Sequence, residues 1–486
     1  MSAQVAIFLC CVGVGGLFYL NRDPSTRNSK ALWIPITWIL LAGSRSVTDW
    51  FGLGHPDGLA GTLEGSPVDA AVFAALEAAG IFVLISRKGK AKAYLLLILP
   101  LLAYSAYCLI SASWSPFPVP AVKRWTKDVG DMAMVLVVLT DPRPVAAIRR
   151  VFSTVGFILL PFSIVLIRYT MLGRTWDADG ALAIVGVTDN KNALGLIVYL
   201  VSLGTVWTVL SLMANKSVRN RNRKLLAQGV LLLCGLMILG TAHCSTAIAC
   251  FILGGSVLLV TRLRAISHHP LRIHVLALAL FACGGATLFG GRDEVASTLG
   301  RASTLTGRTD IWHALLPAVS NPIMGVGFDS FWTSPNATLF HQNLNLLHWY
   351  HAEYINEAHN GYLEVYLNLG WIGIVLMSTI LIGGYLRANK AFRRDPIVGS
   401  LFLAFIISGA FYCITEVGFR TLSPMWIFLL LSYVGASGAQ AGLFGAETKK
   451  SAVIPGARTG LRPSIFDWKP EKQVAKPAET THAASN

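Results

Sequence analysis

The stretch Glu357-Ala-His359-Asn360-Gly361-Tyr-Leu-Glu-Val-Tyr-Leu-Asn-Leu-Gly370-Trp-Ile-Gly373 lies where the longest polar interval of the chain ends and an apolar run begins. A histidine, an asparagine and two glycines fall in it at the spacing H-N-x9-G-x-x-G. The apolar run continues to about residue 385, which is long enough for a helix to cross a bilayer. We therefore expect His359 at a membrane boundary.

The composition is that of a membrane protein. The 486 residues are 54% hydrophobic and 13% charged, and the mean hydropathy is +0.57. A soluble domain has about 25% charged residues. The apolar runs are continuous and do not alternate with period two, which argues against a β-barrel. The net charge of +15 does not indicate nucleic acid, because the basic residues form short clusters between apolar runs.

The sequence predicts about 12–13 transmembrane helices in an all-α polytopic fold. The thirteen candidate spans are 3–20, 31–43, 68–86, 93–111, 127–140, 151–168, 192–213, 225–240, 243–261, 272–290, 361–385, 397–415 and 424–441. The domain plan is N-terminal helices over 1–290, a large outer loop over 291–360, C-terminal helices over 361–445 and a disordered basic tail over 446–486. The first apolar run lacks a basic flank and a small-residue cleavage site, so we expect it to remain as a span.

Charge counting gives an orientation. Thirteen spans place 29 of the 40 Lys and Arg residues on one side and 11 on the other. The basic-rich side is expected to be cytoplasmic. The C-terminus would then lie in the cytoplasm and the large loop on the opposite face.

The large loop carries the first candidate anion-binding residue, Arg308. It precedes a short amphipathic helix predicted over 309–320, with Thr309 or a nearby residue as N-cap and Asn321-Pro322 as its end. Backbone N–H groups at a helix start attract anions, and a guanidinium can bind phosphate with two hydrogen bonds. Gly325-Val-Gly327-Phe328 predicts a turn.

His359 is the candidate catalytic base. Its place near a helix N-terminus favours a neutral imidazole, which can accept a proton near pH 7. Glu357 is expected to contact the imidazole of His359 and orient it, without contacting the substrate itself. Asn360 either caps the following helix or holds the imidazole tautomer, and the spacing of Gly370 and Gly373 permits close helix packing.

These motifs resemble those of the O-antigen ligase/polymerase family, which includes O-antigen ligases, O-antigen polymerases and exopolysaccharide polymerisation proteins. The resemblance rests on H-N-x9-G-x-x-G, preceded by T-G-R-x-x-I-W at Thr306–Trp312 and N-P-x-x-G-x-G-F at Asn321–Phe328. It is specific over roughly 300–380. It is more diffuse at Ser113-Trp-Ser-Pro116 and at Asp189-Asn-Lys-Asn192-Ala-Leu-Gly195.

The resemblance implies a GT-C-like glycosyltransferase of the bacterial inner membrane. It would take glycan from undecaprenyl diphosphate at the periplasmic face, without a metal or other cofactor. His359 and Arg308 would be its catalytic residues, with Arg308, Arg124 and Lys123 binding the diphosphate. Arg45, an outer-face charge at a helix end, is a further candidate for that role.

The resemblance leaves the acceptor open. It would be a second lipid-linked repeat in a polymerase, which the resemblance favours, and lipid A–core in a ligase. Chain-length regulators or export proteins are expected as further partners. A polysaccharide flippase is an alternative of another class, although most ionisable residues lie at loop boundaries and not along a central path.

Competing sites are less specific. Asp177-Ala178-Asp179 is a D-x-D that could hold a metal, and His341, His348, His351, Glu353, Glu357 and His359 form a His/Glu cluster without a recognised zinc spacing. Glu353 and Glu357 could form a glycosidase pair. Glu416 and Arg420 are outer-face charges near a helix end that could line the cavity or form only a helical ion pair, for which they have the spacing. The loop aromatic residues, Trp312, Phe328, Phe331, Trp332, Trp349 and Tyr350, could stack on sugars or form an interfacial belt.

Overall fold

The fold is described here from a computed structural model of the chain. The described residues are 2–23, 28–53, 65–176, 182–242, 244–263, parts of a helix between 272 and 282, 306–346 and 355–444. Asp177-Ala178-Asp179, most of the predicted span at 272–290, His348, His351, Glu353 and the tail from 446 lie outside them. One compact unit extends from Met1 to Ala452.

The described part of the chain is almost entirely helical. Its α-helices are α1 (Ala3–Asn21), α2 (Trp33–Ala42), α3 (Val47–Phe51), α4 (Pro67–Ser86), α5 (Lys88–Leu97), α6 (Leu99–Ser111), α7 (Pro118–Leu139), α8 (Pro144–Tyr169), α9 (Lys191–Ala214), α10 (Arg221–Thr241), α11 (Ser245–Val260), α12 (Thr306–Leu315), α13 (Pro335–Leu346), α14 (Gly361–Arg394), α15 (Pro396–Tyr412) and α16 (Pro424–Gln440). Between α8 and α9, β1 (Arg174–Trp176) pairs antiparallel with β2 (Leu182–Ile184), Arg174 opposite Ile184.

The lengths of these helices confirm an all-α polytopic membrane fold. Among the described residues, six helices are long and apolar enough to cross a bilayer: α1, α4, α8, α9, α10 and α14. The bent pair α5–α6 would make a seventh, and α2, α11 and α15 are shorter apolar helices. Residues along the whole of α15, from Ile397 to Tyr412, are buried. A helix that is apolar all round belongs in the interior of the bundle.

One predicted span has a different shape. The span expected at 93–111 is broken at Ile98, where α5 and α6 meet at 85°. Pro100 stands in the first turn of α6. A proline has no N–H to donate, and its ring clashes with the carbonyl four residues earlier if one helix continues through it. The prediction of one continuous span there is therefore wrong.

The span predicted at 127–140 is part of a longer helix, α7, which begins at Pro118. It buries two acidic side chains, and each has an indole partner. Trp426 Nε1 donates to Asp128 Oδ1 and Trp38 Nε1 donates to Asp131 Oδ1, both at 2.7 Å. These bonds offset the cost of placing carboxyl groups in the bundle.

The start of α14 is fixed by a loop that lies across it. Gly370 interrupts the helix with φ 62°, and Trp371 N donates to Pro322 O at 2.9 Å. A Cβ on Gly370 would lie 2.2 Å from Ile323 O. The glycine is therefore needed where a loop meets a broken helix, and the expectation that Gly370 serves helix–helix packing is wrong.

The loop itself contains the predicted turn. Gly325 and Gly327 have φ 71° and 112°, and Gly327 N donates to Asn368 O at 2.8 Å. Asn321 Oδ1 accepts hydrogen bonds from the backbone of Ile323 and Met324. The preceding helical segment ends earlier, with α12 at Leu315 and a 3-10 turn over Leu316–Ala318. The prediction that Asn321-Pro322 ends it is therefore wrong, and Asn321 stabilises the turn that follows.

Candidate active site

Four segments meet at one end of the helix bundle. They are the start of α9, the start of α12, the start of α14 and the loop that follows α15. The backbone N–H of Gly361 donates to Cys413 O at 2.8 Å and to Glu416 O at 3.1 Å, which fastens the start of α14 to that loop. The side chains that these segments carry are the candidate active site.

Arg308 and Glu416 form the first ion pair of the site. Arg308 Nη2 lies 2.9 Å from Glu416 Oε1, and Arg308 Nη1 donates to Thr415 O at 2.6 Å. Asn192 Nδ2 donates to the other carboxylate oxygen, Oε2, at 3.2 Å. The Glu416 side chain is 5% exposed and that of Arg308 is 20% exposed. Arg308 is thus held by Glu416 and by the backbone of Thr415, and part of its side chain remains exposed to solvent.

His359 lies beside the same glutamate. Its Nδ1 is 3.0 Å from Glu357 Oε1 and 3.9 Å from Glu416 Oε2, although Nδ1 has no aligned hydrogen bond among the described residues. The backbone of His359 has φ 47°, in the left-handed region that few non-glycine residues adopt. Arg420 Nη1 lies 3.9 Å from the second oxygen of Glu357. Three basic side chains therefore share two carboxylates.

This arrangement favours an imidazolium. Burial opposes protonation of the ring, but the carboxylates of Glu357 and Glu416 outweigh it and raise the pKa of His359 to about 9. Burial likewise opposes ionisation of Glu357, yet His359 and Arg420 lower its pKa. The expectation of a neutral imidazole is therefore wrong for this state, because two carboxylates outweigh the helix N-terminus. The prediction that His359 is catalytic does not depend on that expectation.

A second layer holds the backbone beneath His359. The buried carboxylate of Glu364 accepts from Trp332 Nε1 at 2.6 Å and from the backbone N–H of Ala358 at 3.1 Å. Trp312 Nε1 donates to Ala358 O at 2.8 Å. Both backbone groups of Ala358 are fixed in this way, so the strained residue that follows has a defined position.

Two comparisons bear on the identity of the chain. A family profile described as O-Antigen ligase matches residues 229–378, a range that includes Arg308 and His359. The chain is also 24% identical over 311 residues to the exopolysaccharide production protein ExoQ of Rhizobium meliloti (strain 1021), covering 60% of this chain and 66% of that protein. Both comparisons therefore make the chain similar to proteins of the O-antigen ligase/polymerase family. The aligned part spans just under two thirds of the relative.

The structure brings together three of the residues predicted from sequence: Arg308, His359 and Glu357. Asn360 caps α14, since its Oδ1 accepts from the backbone of Tyr362 and Leu363. The helix expected over 309–320 begins at Thr306, so Thr309 lies inside the helix and is not its N-cap. Arg308 lies in the first turn of the helix and points to Glu416 from there.

The other predicted diphosphate-binding residues lie in separate contacts. Arg124 Nη1 donates to Asp329 O at 2.5 Å, and Lys123, one residue earlier on α7, is exposed. Arg45 Nε lies 3.3 Å from Asp189 Oδ1, three residues before Asn192. The described contacts do not join any of the three directly to Arg308, and their role remains a prediction.

Three residues of the site are not singled out by the sequence motifs. Glu416 and Arg420 have the spacing of a helical pair, but they follow the end of α15 at Tyr412 and each pairs with a residue distant in sequence. Asn192 lies in the stretch Asp189–Gly195, whose resemblance to the family is diffuse. Both Asn192 and the pair Glu416 and Arg420 lie in polar stretches directly before apolar runs. This position is the sequence feature that could have identified them as site residues.

A metal site can be built from the same side chains. The ligand atoms of Glu357, His359 and Glu416 all lie within 4.8 Å of one another, a ligand set that suits a divalent cation. Both carboxylates, however, are already paired with Arg308 and Arg420. A divalent cation there would be repelled by both guanidinium groups, so the charge balance favours an anionic ligand beside this cluster.

The remaining sequence candidates have structural partners or lie outside the described residues. His341 Nε2 is 3.0 Å from Ile355 O. Phe331 is fully buried in a small hydrophobic cluster with Ile311, Phe340 and Leu367, and so belongs neither to a sugar platform nor to an interfacial belt. Trp349 and Tyr350 are outside the described residues.

Proposed function

We propose that this protein is a glycosyltransferase of the bacterial inner membrane that transfers glycan from undecaprenyl diphosphate to a sugar hydroxyl at the periplasmic face. We take the product to be a polymer of exopolysaccharide or O-antigen repeat units. The match to the O-antigen ligase profile supports the reaction class, and the name of the Rhizobium relative supports exopolysaccharide as the product. The membrane orientation rests on the distribution of basic residues.

The cluster of Arg308, Arg420 and His359 around two carboxylates is the observation that carries the proposal. A lipid diphosphate has concentrated negative charge and competes with Glu416 and Glu357 for these cations. Positive groups placed at the departing diphosphate stabilise the charge that develops there. The cluster is half-buried at one end of the bundle, where a lipid-anchored substrate can reach it.

The proposed reaction breaks the bond between the anomeric carbon and the diphosphate oxygen, and the diphosphate leaves with the electron pair. The acceptor hydroxyl oxygen forms the new bond to the same carbon from the opposite side, which predicts inversion. Its proton passes to the Glu357 carboxylate. His359 acts as an imidazolium that, with Arg308, stabilises the leaving diphosphate. This role replaces the base role expected from sequence, because the pKa of His359 is raised to about 9.

An O-antigen ligase is the second candidate, and the family description favours it. It differs in its acceptor, lipid A–core. The two are separated by supplying the purified protein with labelled lipid-linked repeat units, with and without lipid A–core. A ladder of products without lipid A–core supports a polymerase, and transfer only in its presence supports a ligase.

The same assay separates transfer from transport. It is run in detergent micelles, where there is no membrane gradient and no second compartment. New glycosidic bonds under these conditions require an enzyme. Intact repeat units after prolonged incubation with either acceptor would contradict the proposed function and favour a flippase.

A further inference from the structure

A second polar cavity lies at the opposite end of the bundle from the candidate active site. It has a volume of about 900 Å³. It is lined by the last turns of α9, with Thr208 and Ser211, and by Asp395 directly before α15. The active-site residues Asn192 and Glu416 lie at the other ends of these two helices. Thr208 and Ser211 follow Asn192 by 16 and 19 residues on α9, so the two regions are separated by about 24–29 Å along this helix.

The lining of this basal cavity has a strong positive charge. Five basic and two acidic side chains line it, which leaves a net charge of +3; they are Arg22, Arg149, Arg150, Arg219, Lys224, Asp23 and Asp395. They come from four separate segments of the chain. Convergence of like charges is unfavourable unless a counterion is present, so the composition of the wall suits an anionic ligand.

Part of this charge is built into the fold. The Lys224 side chain is 8% exposed and its Nζ lies 2.5 Å from Asp23 Oδ2. The guanidinium of Arg149 lies 5.1 Å from the centre of the Trp207 ring, which orients it. Asp395 is buried, and its Oδ2 has no hydrogen bond among the described residues. The site is therefore more than a set of mobile surface lysines.

The cavity is also amphipathic. Its wall includes Phe18, Leu212 and Val398, and Trp33 beside them is 47% exposed. Arginine forks bind phosphate oxygens with paired hydrogen bonds, while the apolar wall suits a hydrocarbon chain. All five basic residues belong to the loops that charge counting assigns to one membrane face. Basic pockets between transmembrane helices on that face suit acidic lipid headgroups.

We propose that the basal cavity binds a phosphate-bearing ligand, namely the headgroup of an anionic phospholipid, at a site separate from the candidate active site. A free soluble phosphate shares the recognition chemistry and is the other source to be distinguished. The proposal does not depend on the proposed glycan transfer, since its test measures binding.

The test compares two double variants with equal loss of charge. Arg150→Gln with Arg219→Gln removes two exposed cations that line the cavity. Lys216→Gln with Arg393→Gln removes two exposed cations from the same loop regions that do not line it. Binding of phosphatidylglycerol, of phosphatidylcholine and of inorganic phosphate to the full chain in detergent is measured by native mass spectrometry and calorimetry. All four residues are exposed, so folding should be retained, and elution as a single species checks it.

We expect the wild-type chain and the control variant to bind phosphatidylglycerol in preference to phosphatidylcholine. The cavity variant should bind it about tenfold more weakly. Saturable binding of inorganic phosphate without lipid preference, lost in the cavity variant, would support a phosphate site and overturn the headgroup assignment. Equal affinities of the two double variants, or no binding of either probe to the wild type, would overturn the proposal as a whole.

Discussion

The substitution Glu416→Gln tests how the candidate active site holds its charges. Glu416 is the carboxylate that Arg308 and His359 share, and its Oε2 also accepts from Asn192. Glutamine keeps the shape and removes the charge. We expect two separate effects, one on the position of Arg308 and one on the protonation of His359.

The size of the first effect, on the position of Arg308, follows from the hydrogen bonds that Arg308 makes. Arg308 loses a charge-assisted hydrogen bond of 2.9 Å to Glu416 but keeps the bond of 2.6 Å to Thr415 O. A hydrogen bond to a charged group contributes about 1.5–3 kcal/mol. If that loss is expressed in the transition state, kcat/KM falls by about 10- to 100-fold, at about 1.4 kcal/mol for each factor of ten.

The second effect is a shift in the pH profile. The pKa of His359 is raised to about 9 partly by Glu416. With an imidazolium role, activity is retained below this pKa and is lost as pH rises through it. Removal of Glu416 lowers the pKa, so the loss of activity should begin at lower pH in the variant.

The assay is transfer from labelled lipid-linked repeat units at pH 6 to 10, with Asp49→Asn as the control. Asp49 is an exposed acidic residue in the short helix α3, and we expect its variant to match the wild type. A Glu416→Gln variant with activity within threefold of the wild type and the same pH profile would refute this account of the cluster. A wild-type rate that rises up to about pH 9 would instead assign His359 the role of a base.

Three further predictions follow from other parts of the site. Gly370→Ala should lower the stability of the fold by about 1–3 kcal/mol, since φ is 62° and its Cβ would meet Ile323 O. Gly240→Ala, where nothing lies within 4 Å, is the control, and equal melting temperatures would contradict the strain argument. Trp332→Phe removes the hydrogen bond of 2.6 Å from the indole to Glu364 and should destabilise the fold by about 1–3 kcal/mol. The control is Trp371→Phe, at a residue that is 58% exposed, and it should leave the stability unchanged. Chelation with EDTA should leave transfer unchanged. If EDTA abolished activity and Mg²⁺ or Mn²⁺ restored it, a metal would be assigned to the cluster of Glu357, His359 and Glu416. If Asp177→Ala also abolished that response to metal, the metal would be assigned to Asp177.

Much of the fold follows from local sequence. Runs of apolar residues define helices because the pattern is set by neighbours along the chain, and every predicted span among the described residues corresponds to helix. The break at Ile98 was missed although Pro100 signals it. An apolar run gives the length of a span and does not reveal a bend of 85° within it.

The site was predictable only in part, because its charges pair across long sequence separations. Arg308 and His359 stand in motifs, and Glu357 lies two residues from His359. The partner of Arg308 is 108 residues away, so spacing suggested a local pair of Glu416 with Arg420 instead. The protonation of His359 depends on that same distant glutamate, and the local argument from the helix N-terminus therefore gave the wrong charge.

The most direct test of the central claim is glycan transfer by purified wild-type, Arg308→Ala and His359→Ala proteins. Each is supplied with labelled undecaprenyl diphosphate-linked repeat units in detergent, and Lys216→Gln serves as the control. We predict a product ladder for the wild type and the control, and no ladder for either site variant although both elute as folded protein. Ladders of near-normal yield from both site variants would contradict the assignment of this cluster as the active site.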